Sequence, residues 1–416
     1  VRKLYFLLFF ILSIFTLKAQ GLEDWYAVVS EWAGTDPNAG QASFLSLLIP
    51  PGGRYQGMAT AYTAVLKDSG YLEANPAGSS VLSQTELSVY HHDWIGESRL
   101  EGLVYTMRLG DFGFGTGFKL LYLPFTGINE WGDRYQNSGS TSFAKGTYTE
   151  MILTGNLSYN LFSSYYFHGL TLGGNLKFAY RGVPESIYPG QSAVALIADF
   201  GALTRFNLLK FFPSRERNLS LGVSVRNLGL PVQGDPLPSL LVAGIAYSPI
   251  RPLTLAFDTQ IPFFLNLEPA EEISYAVGMD LVFTDFISLQ SGINLKKGRP
   301  RATAGVTLVL EKMTINVNYT LDLVTTLTPF DRINLEIKLN LGDLGRLDKT
   351  ERAKELYLQG LEQNAKGNLL QAINLFEESL ELNSSFEPAR ESLDLARQAR
   401  ELQRQMEQVQ TLPSTP

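Results

Sequence analysis

Between Glu271 and Leu341 apolar and polar residues alternate in runs, each closed by a short turn. Ile273, Tyr275, Val277, Met279, Leu281 and Phe283 fall on one face of such a run, and Ser274, Ala276, Gly278 and Asp280 on the other. The last run sets Ile333, Leu335, Ile337, Leu339 and Leu341 against Asn334, Glu336, Lys338 and Asn340. Period 2 predicts strand, because successive side chains leave opposite faces of a pleated backbone. A strand needs about 9–11 residues to cross a bilayer at a tilt. The charges sit almost entirely on the non-apolar face, the pattern of a transmembrane β-barrel with lipid outside and a polar lumen.

The same reading from about Gln84 predicts fourteen antiparallel strands. They fall near Glu86–His92, Leu100–Leu109, Phe112–Leu123, Thr147–Asn160, Leu170–Arg181, Ser192–Phe206 and Leu219–Asn227. The others fall near Ser239–Tyr247, Leu253–Gln260, Ile273–Phe283, Phe286–Leu295, Arg301–Leu310, Met313–Leu321 and Ile333–Leu341. Such barrels have short periplasmic turns and longer outer loops. Gly110-Asp111, Ser248–Pro252, Thr284-Asp285 and Glu311-Lys312 are short even-numbered connections, whereas Pro124–Gly146, Leu228–Pro238 and Ile261–Glu272 run on. Leu161–Gly169 and Leu208–Asn218 are longer than this rule predicts.

On either side of these runs the pattern changes. After Gly342 the period becomes about 3.6, predicting helices over Asp348–Gln363 and Asn368–Leu382 and a third from Pro388. Leu356, Gly360, Gly367, Ala372, Phe376 and Leu380 fall at the spacing of a tetratricopeptide repeat, with Gln363 and Ser384 departing from it. One repeat is below the usual minimum of three, so the module is expected to pack on the barrel, a partner or another copy. Before the barrel, residues 20–83 are read as a compact plug, with a short helix expected from Gly57 to Leu66 and a turn at Asn75-Pro76. The expected division is a signal peptide at 1–19, a plug at 20–83, a barrel at 84–342 and a helical module at 348–408.

Arg2 and Lys3 precede the apolar run Leu4–Leu12, which continues to Leu17, and Lys18-Ala19-Gln20 supplies a candidate cleavage point. The chain has 37 glycines, 25 phenylalanines and 19 tyrosines, suiting a barrel with aromatic girdles. Without cysteine there are no disulfides or thiolate metal sites. A net charge of −7 argues against a nucleic-acid partner.

Pro51-Gly52-Gly53-Arg54, Gly57-Met58-Ala59-Thr60-Ala61-Tyr62-Thr63-Ala64, Lys67-Asp68-Ser69 and Asn75-Pro76-Ala77-Gly78 resemble the N-terminal signature of PorV/PorQ-type proteins. That group is similar to the FadL-type outer-membrane channels, and uncharacterised spirochaetal members are similar too. Ala59 stands where glycine is usual, and Ser79 where an apolar residue is usual. The resemblance implies a fourteen-stranded barrel whose plug gates hydrophobic molecules, which leave sideways beside a kinked strand. Arg54, Gly57, Met58, Asn75 and Pro76 are thereby candidates for plug function. Gly113, Gly115 and Gly117 in the third strand, with Pro124 ending it, have two readings: a gating kink, or close approach of the plug to the wall.

Other candidates carry less. His91-His92-Asp93 offers metal ligands, but adjacent strand residues point oppositely, so no metal is expected. Lys296, Lys297, Arg299 and Arg301 form a basic hairpin that suits anionic headgroups or plain solvation. Lys177, Arg181, Arg226, Asp258, Asp280, Asp322, Glu336 and Lys338 are expected in the lumen, since Lys or Arg facing mid-bilayer lipid would cost roughly 2–4 kcal/mol. With three histidines and no paired-carboxylate motif, neither an enzyme nor a cofactor is implied. Two functions remain. One is passage of fatty acids or other hydrophobic small molecules through the outer membrane. The other is secretion or assembly, with Leu356, Gly360, Gly367, Ala372 and Phe376 docking a periplasmic partner.

Overall fold

The computed structural model describes residues 31, 33–94, 98–126, 145–185, 189–212, 217–266, 269–324 and 332–410. The expected signal sequence and most of the first long loop lie outside these. The strands are β1 (Glu86–Asp93), β2 (Arg99–Leu109), β3 (Phe112–Thr126), β4 (Lys145–Leu161) and β5 (Leu170–Gly182). Next come β6 (Ala193–Phe206), β7 (Leu219–Leu228), β8 (Ser239–Ile250), β9 (Leu253–Phe263) and β10 (Ser274–Thr284). β11 (Ile287–Leu295), β12 (Arg301–Val309), β13 (Met313–Asp322) and β14 (Ile333–Asn340) complete the set. Each pairs antiparallel with its chain neighbours, and β1 pairs with β14, so the fourteen strands close into a barrel with no free edge.

The faces are inverted relative to a water-soluble barrel. Along β14, Ile333, Leu335, Ile337 and Leu339 are exposed while Asn334, Glu336 and Lys338 are buried. Tyr275 and Val277 on β10 and Phe257 on β9 continue the outward apolar band. Such a band is stable only against lipid, so the barrel spans a membrane. Among the described residues no helix is long and apolar enough to cross one.

β3 departs from expectation. It pairs with β2 and β4 in unbroken register, and Pro124 sits inside it opposite Thr147. Beyond Tyr122 β3 is paired with β4 alone, and there a proline is tolerated without ending the strand, as on an edge. Register shifts occur instead between β6 and β7, β8 and β9, and β10 and β11.

The segment before β1 fills the barrel interior. It holds a 3-10 turn at Leu45–Leu48, helix α1 (Gly53–Gly57), helix α2 (Tyr71–Ala74) and a 3-10 turn at Pro76–Val81. The helix expected over Gly57–Leu66 does not form. Ala59 and Thr60 adopt φ 52° and 70°, and two successive left-handed residues cannot continue an α-helix. The chain turns there because the Asp258 carboxylate of β9 accepts hydrogen bonds from the Tyr62 and Thr63 amides, each at 3.0 Å.

Beyond the barrel lie α3 (Arg346–Ala365), α4 (Leu369–Leu382) and α5 (Glu387–Gln410). Ala372, Ile373, Phe376, Leu393 and Ala396 form their core, with Tyr357, Leu361 and Leu380 packed against it. The over-long Leu161–Gly169 connection acquires a purpose here. Its Tyr165 ring packs 5.4 Å from Phe386, which lies 5.2 Å from Tyr357 of α3. The other long turn braces it, since Arg217 donates to the Tyr166 carbonyl at 2.6 Å. Arg346 completes the joint by donating to the Leu82 and Ser83 carbonyls.

Candidate functional site

Two levels of the lumen differ. Toward the end bearing the helical tail, the interior segment contacts the wall from all sides. Asn75 ties that level together: its amide donates to the Thr63 and Ala202 carbonyls at 2.9 and 3.0 Å, and its oxygen accepts from the Ala77 amide at 3.1 Å. Pro76 opens the following 3-10 turn, and its carbonyl accepts from Asn156 at 2.9 Å. The third-strand glycines are what let this segment come so near. A Cβ on Gly113 would overlap the backbone of Ser79 and Ser80, one on Gly115 the Tyr71 hydroxyl, and one on Gly117 the Leu72 side chain. Of the two sequence readings, the geometry matches close approach; the unbroken ladder carries no kink.

Charge latches the same segment to the wall. Arg54 lies 3.4 Å from Asp68 and 3.9 Å from Asp280, and Lys67 lies 3.0 Å from Asp280. Lys338 on β14 reaches Asp68 at 3.0 Å and both Glu336 and Glu86 at 3.9 Å. Tyr62 adds an O–H bond of 2.8 Å to Asp68. Burial alone would raise the Asp68 pKa, but Lys338 and Arg54 outweigh it and hold the carboxyl below the ordinary carboxylate range. Gly57 and Met58 follow at the turn: Thr303 donates to the Gly57 carbonyl at 2.8 Å, and Met58 is fully buried against Gly278 and Gly292. The other lumen charges predicted from the alternation are also inside. Lys177 pairs with Asp199 at 2.7 Å, Asp322 with Arg332 at 2.9 Å, and Arg226 donates to the Tyr55 hydroxyl and Glu73 carbonyl.

Toward the opposite end lies a cavity of about 260 Å³. Leu45, Leu48, Ile49, Leu240, Pro262 and Phe264 give it apolar walls, and Gln56, Arg226 and Arg301 its polar points. The Gln56 amide nitrogen donates to Thr320 Oγ1 at 3.0 Å, while its oxygen is buried with no hydrogen-bond partner. Arg226 Nε and Arg301 Nε are likewise buried and unpartnered. Trp94 stands at the rim with the Arg301 and Arg332 guanidiniums each 5.2 Å from its ring. Buried polar atoms are ordinarily satisfied, so orphans around one cavity mark it as the place where a guest would complete them.

The basic hairpin borders this cavity and is clasped, not merely solvated. Lys296 pairs with Glu271 and Lys297 with Glu272, while the Gly298 amide donates to the Ala33 carbonyl at 3.1 Å. His91 and His92 separate as expected. His91 meets Glu101 at 2.8 Å, and His92 is buried beside the Pro50 carbonyl and Gln56. Among the described residues no His, Cys, Asp and Glu group suits a metal ion.

In the tail, Leu356, Ala372 and Phe376 are buried, Gly360 abuts the Phe376 ring, and Gly367 turns α3 into α4 at φ 80°. These residues hold the module together, so any surface open to a partner is made by others. The cavity was not visible in the sequence, because Ile49 and Gln56, Trp94, Arg226 and Phe264 come from four separated places. A tryptophan just past an inward-facing histidine was the one local signal.

The fold and these sites define a transmembrane β-barrel with a filled lumen, an end cavity and a helical appendage. The chain belongs to the uncharacterised protein family UPF0164, whose model matches residues 24–343. A UPF0164 protein of Treponema pallidum (strain Nichols) is 27% identical over 384 residues, covering 89% of this chain and 87% of the relative. A second from the same strain is 25% identical over 383 residues, covering 84% and 74%. Among solved structures, the P. putida toluene transporter TodX has 12% identity and a TM-score of 0.44, covering 70% of this chain and 99% of that one. The PorV/PorQ and tetratricopeptide resemblances rest on their motif residues.

Proposed function

We propose that this chain is a FadL-type barrel of the outer membrane that takes up hydrophobic small molecules, of which long-chain fatty acids are the model cargo. The cavity is the observation that carries the reading. Its apolar walls suit a hydrocarbon body, and unpartnered Gln56, Arg226 and Arg301 atoms suit a polar head. At about 260 Å³ it is somewhat smaller than the roughly 300–1,000 Å³ usual for small-molecule sites. It therefore fits the head and part of a chain. Below it, lumen residues such as Asp199, Asp258 and Asn334 have no exposed surface, which favours a carrier of apolar cargo over a water-filled porin. In this reading the plug occupies the lumen and the helical tail lies on the periplasmic side. The test is titration of the purified protein with a fluorescent fatty acid, followed by uptake into loaded vesicles. Saturable binding weakened severalfold by Leu48→Trp, which fills the cavity, is expected; absence of saturable binding overturns the proposal.

A second reading, a PorV-like secretion or assembly component, is supported by the tail. Leu358 and Leu370 are exposed on α3 and α4 while Tyr165 holds the module against the barrel end. A cross-link from Leu358→Cys to a periplasmic protein is the expected result; its absence, together with unchanged growth after tail deletion, removes this reading.

A further inference from the structure

Helix α5 carries two apolar stripes, and only one has a partner. Ala389, Leu393 and Ala396 face α3 and α4 and are buried. Arg397 fixes the same inward side further along, pairing with Glu377 of α4 at 2.6 Å. Leu395, Ala399, Leu402 and Met406 form the other stripe, and all four are exposed. Their spacing is four, three, four. At about 100° per residue that sequence keeps one narrow line of side chains together, the a/d seam of a coiled coil. The seam lies well over a quarter turn from the inward side, so α4 cannot reach it. Scattered surface leucines need no explanation; a heptad register on a helix that has already satisfied its own core does.

We infer that this seam pairs with the same seam of a second copy of the chain in the same membrane. The residues flanking it decide the occupant. From Ala399 onward the positions bordering the seam are Gln398, Gln403 and Gln405, all uncharged, and Glu391 flanks only its first residue, Leu395. Arg397, Arg400, Glu401, Arg404 and Glu407 all lie off it. From Ala399 to Met406 two identical helices therefore meet without like-charge opposition, whereas a seam built for a foreign helix would carry a complementary charge pattern at its borders. The anchoring of the tail supports the same occupant. Tyr165–Phe386 and Arg346 join the module to the barrel end, so every copy presents its seam on one side of one membrane. Confinement raises the effective concentration, which compensates for a seam only two heptads long.

The experiment uses the full chain, whose lack of cysteine makes single-site labelling clean. Leu402→Cys, on the seam, and Arg404→Cys, on the opposite side of α5, are inserted into liposomes and treated with a short bismaleimide. A linked species of twice the chain mass, severalfold more abundant for Leu402→Cys, is expected, and adding Met406→Glu should reduce it to the Arg404→Cys level. Ala399→Cys serves as a second seam probe should Leu402→Cys insert poorly. Equal yields at seam and control sites overturn the inference, as does no dimer at either seam position, the result if the seam lies on lipid. An adduct of another mass in native membranes, in place of the dimer, overturns it in favour of a different protein.

Discussion

The two halves of the lumen are built from similar strands yet end in opposite states. In the half nearer the tail, polar side chains of the wall such as Asn156, Asn175 and Ser224 bond to the interior segment, which packs close against them, although single atoms such as Asp258 Oδ1 and Glu336 Oε1 stay without a hydrogen-bond partner. In the other half the wall presents Gln260, Asn294, Arg226 and Arg301, and the segment opposite offers Leu45, Leu48 and Ile49, so a cavity remains with unpartnered atoms around it. The difference lies in side-chain size on the wall. Where the inner face carries glycine, as at Gly113, Gly115 and Gly117, the plug's Ser79 and Ser80, Tyr71 and Leu72 reach the backbone of the strands. Where it carries long polar side chains, the segment is held off. Filling is thus written into the wall as much as into the plug.

The sharpest way to break that contrast is to put bulk into the filled half. In Gly113→Val the new side chain meets the backbone of Ser79 and Ser80, which cannot yield as a flexible side chain would. Overpacking against backbone on this scale is expected to exceed about 4 kcal/mol at the plug, among the largest single-residue effects. The plug should become accessible to protease and the barrel should leak ions in a planar bilayer. Intact resistance on both measurements would mean that close approach is not what seals this half.

Removing a charge should cost somewhat less. Lys338→Met leaves Asp68, Glu336 and Glu86 buried around a missing cation, a loss of roughly 3–5 kcal/mol for a broken buried pair. The pH dependence follows from the depressed pKa of Asp68. A carboxylate whose folded pKa lies below its unfolded value of about 3.9 contributes stability that is present above that value. That stability is lost as pH falls through the folded pKa. The wild-type plug should therefore stay seated at pH 4, whereas the variant, lacking Lys338, should release it at higher pH. Protease accessibility across a pH series distinguishes the two, and coincident curves would show that the latch is not electrostatic.

Asn75→Ala tests the hydrogen-bonded floor of the same half. It deletes two donated bonds and one accepted one, taking from the buried Thr63 carbonyl and Ala77 amide their Asn75 partner, for about 1–3 kcal/mol. A lower temperature for the heat-induced gel shift is expected, with the barrel strands still formed.

How much of this was legible beforehand follows the same division. The strands were readable because lipid and lumen impose a strict period of 2, and most predicted boundaries fall within a few residues of those in the barrel. The plug was readable as a segment but not in its path. An Ala/Thr-rich stretch reads as helix locally, and the turn at Ala59 and Thr60 is imposed by Asp258, nearly two hundred residues away. The third-strand glycines were readable as special, yet only the neighbours of their missing side chains separate a kink from a close approach. The cavity was not readable, since its walls meet only after the barrel closes.

The smallest expected effect sharpens the comparison from outside the lumen. Gly155 on β4 belongs to the outward set, and a Cβ there would meet nothing within 4 Å. Gly155→Ala should therefore change stability by no more than about 0.5 kcal/mol, the range of a surface position without special backbone demands. The same substitution at Gly173, where a Cβ would run into the Pro76 carbonyl and the Ala77 amide, should unseat the plug. The pair keeps the chemistry of the change constant and varies only the face, lipid in one case and plug in the other. If both were silent, the glycines of the inner wall would be dispensable for filling. If both were damaging, the glycines would be serving the strands themselves. Only a silent Gly155→Ala beside a damaging Gly173→Ala assigns the requirement to the contact between wall and plug.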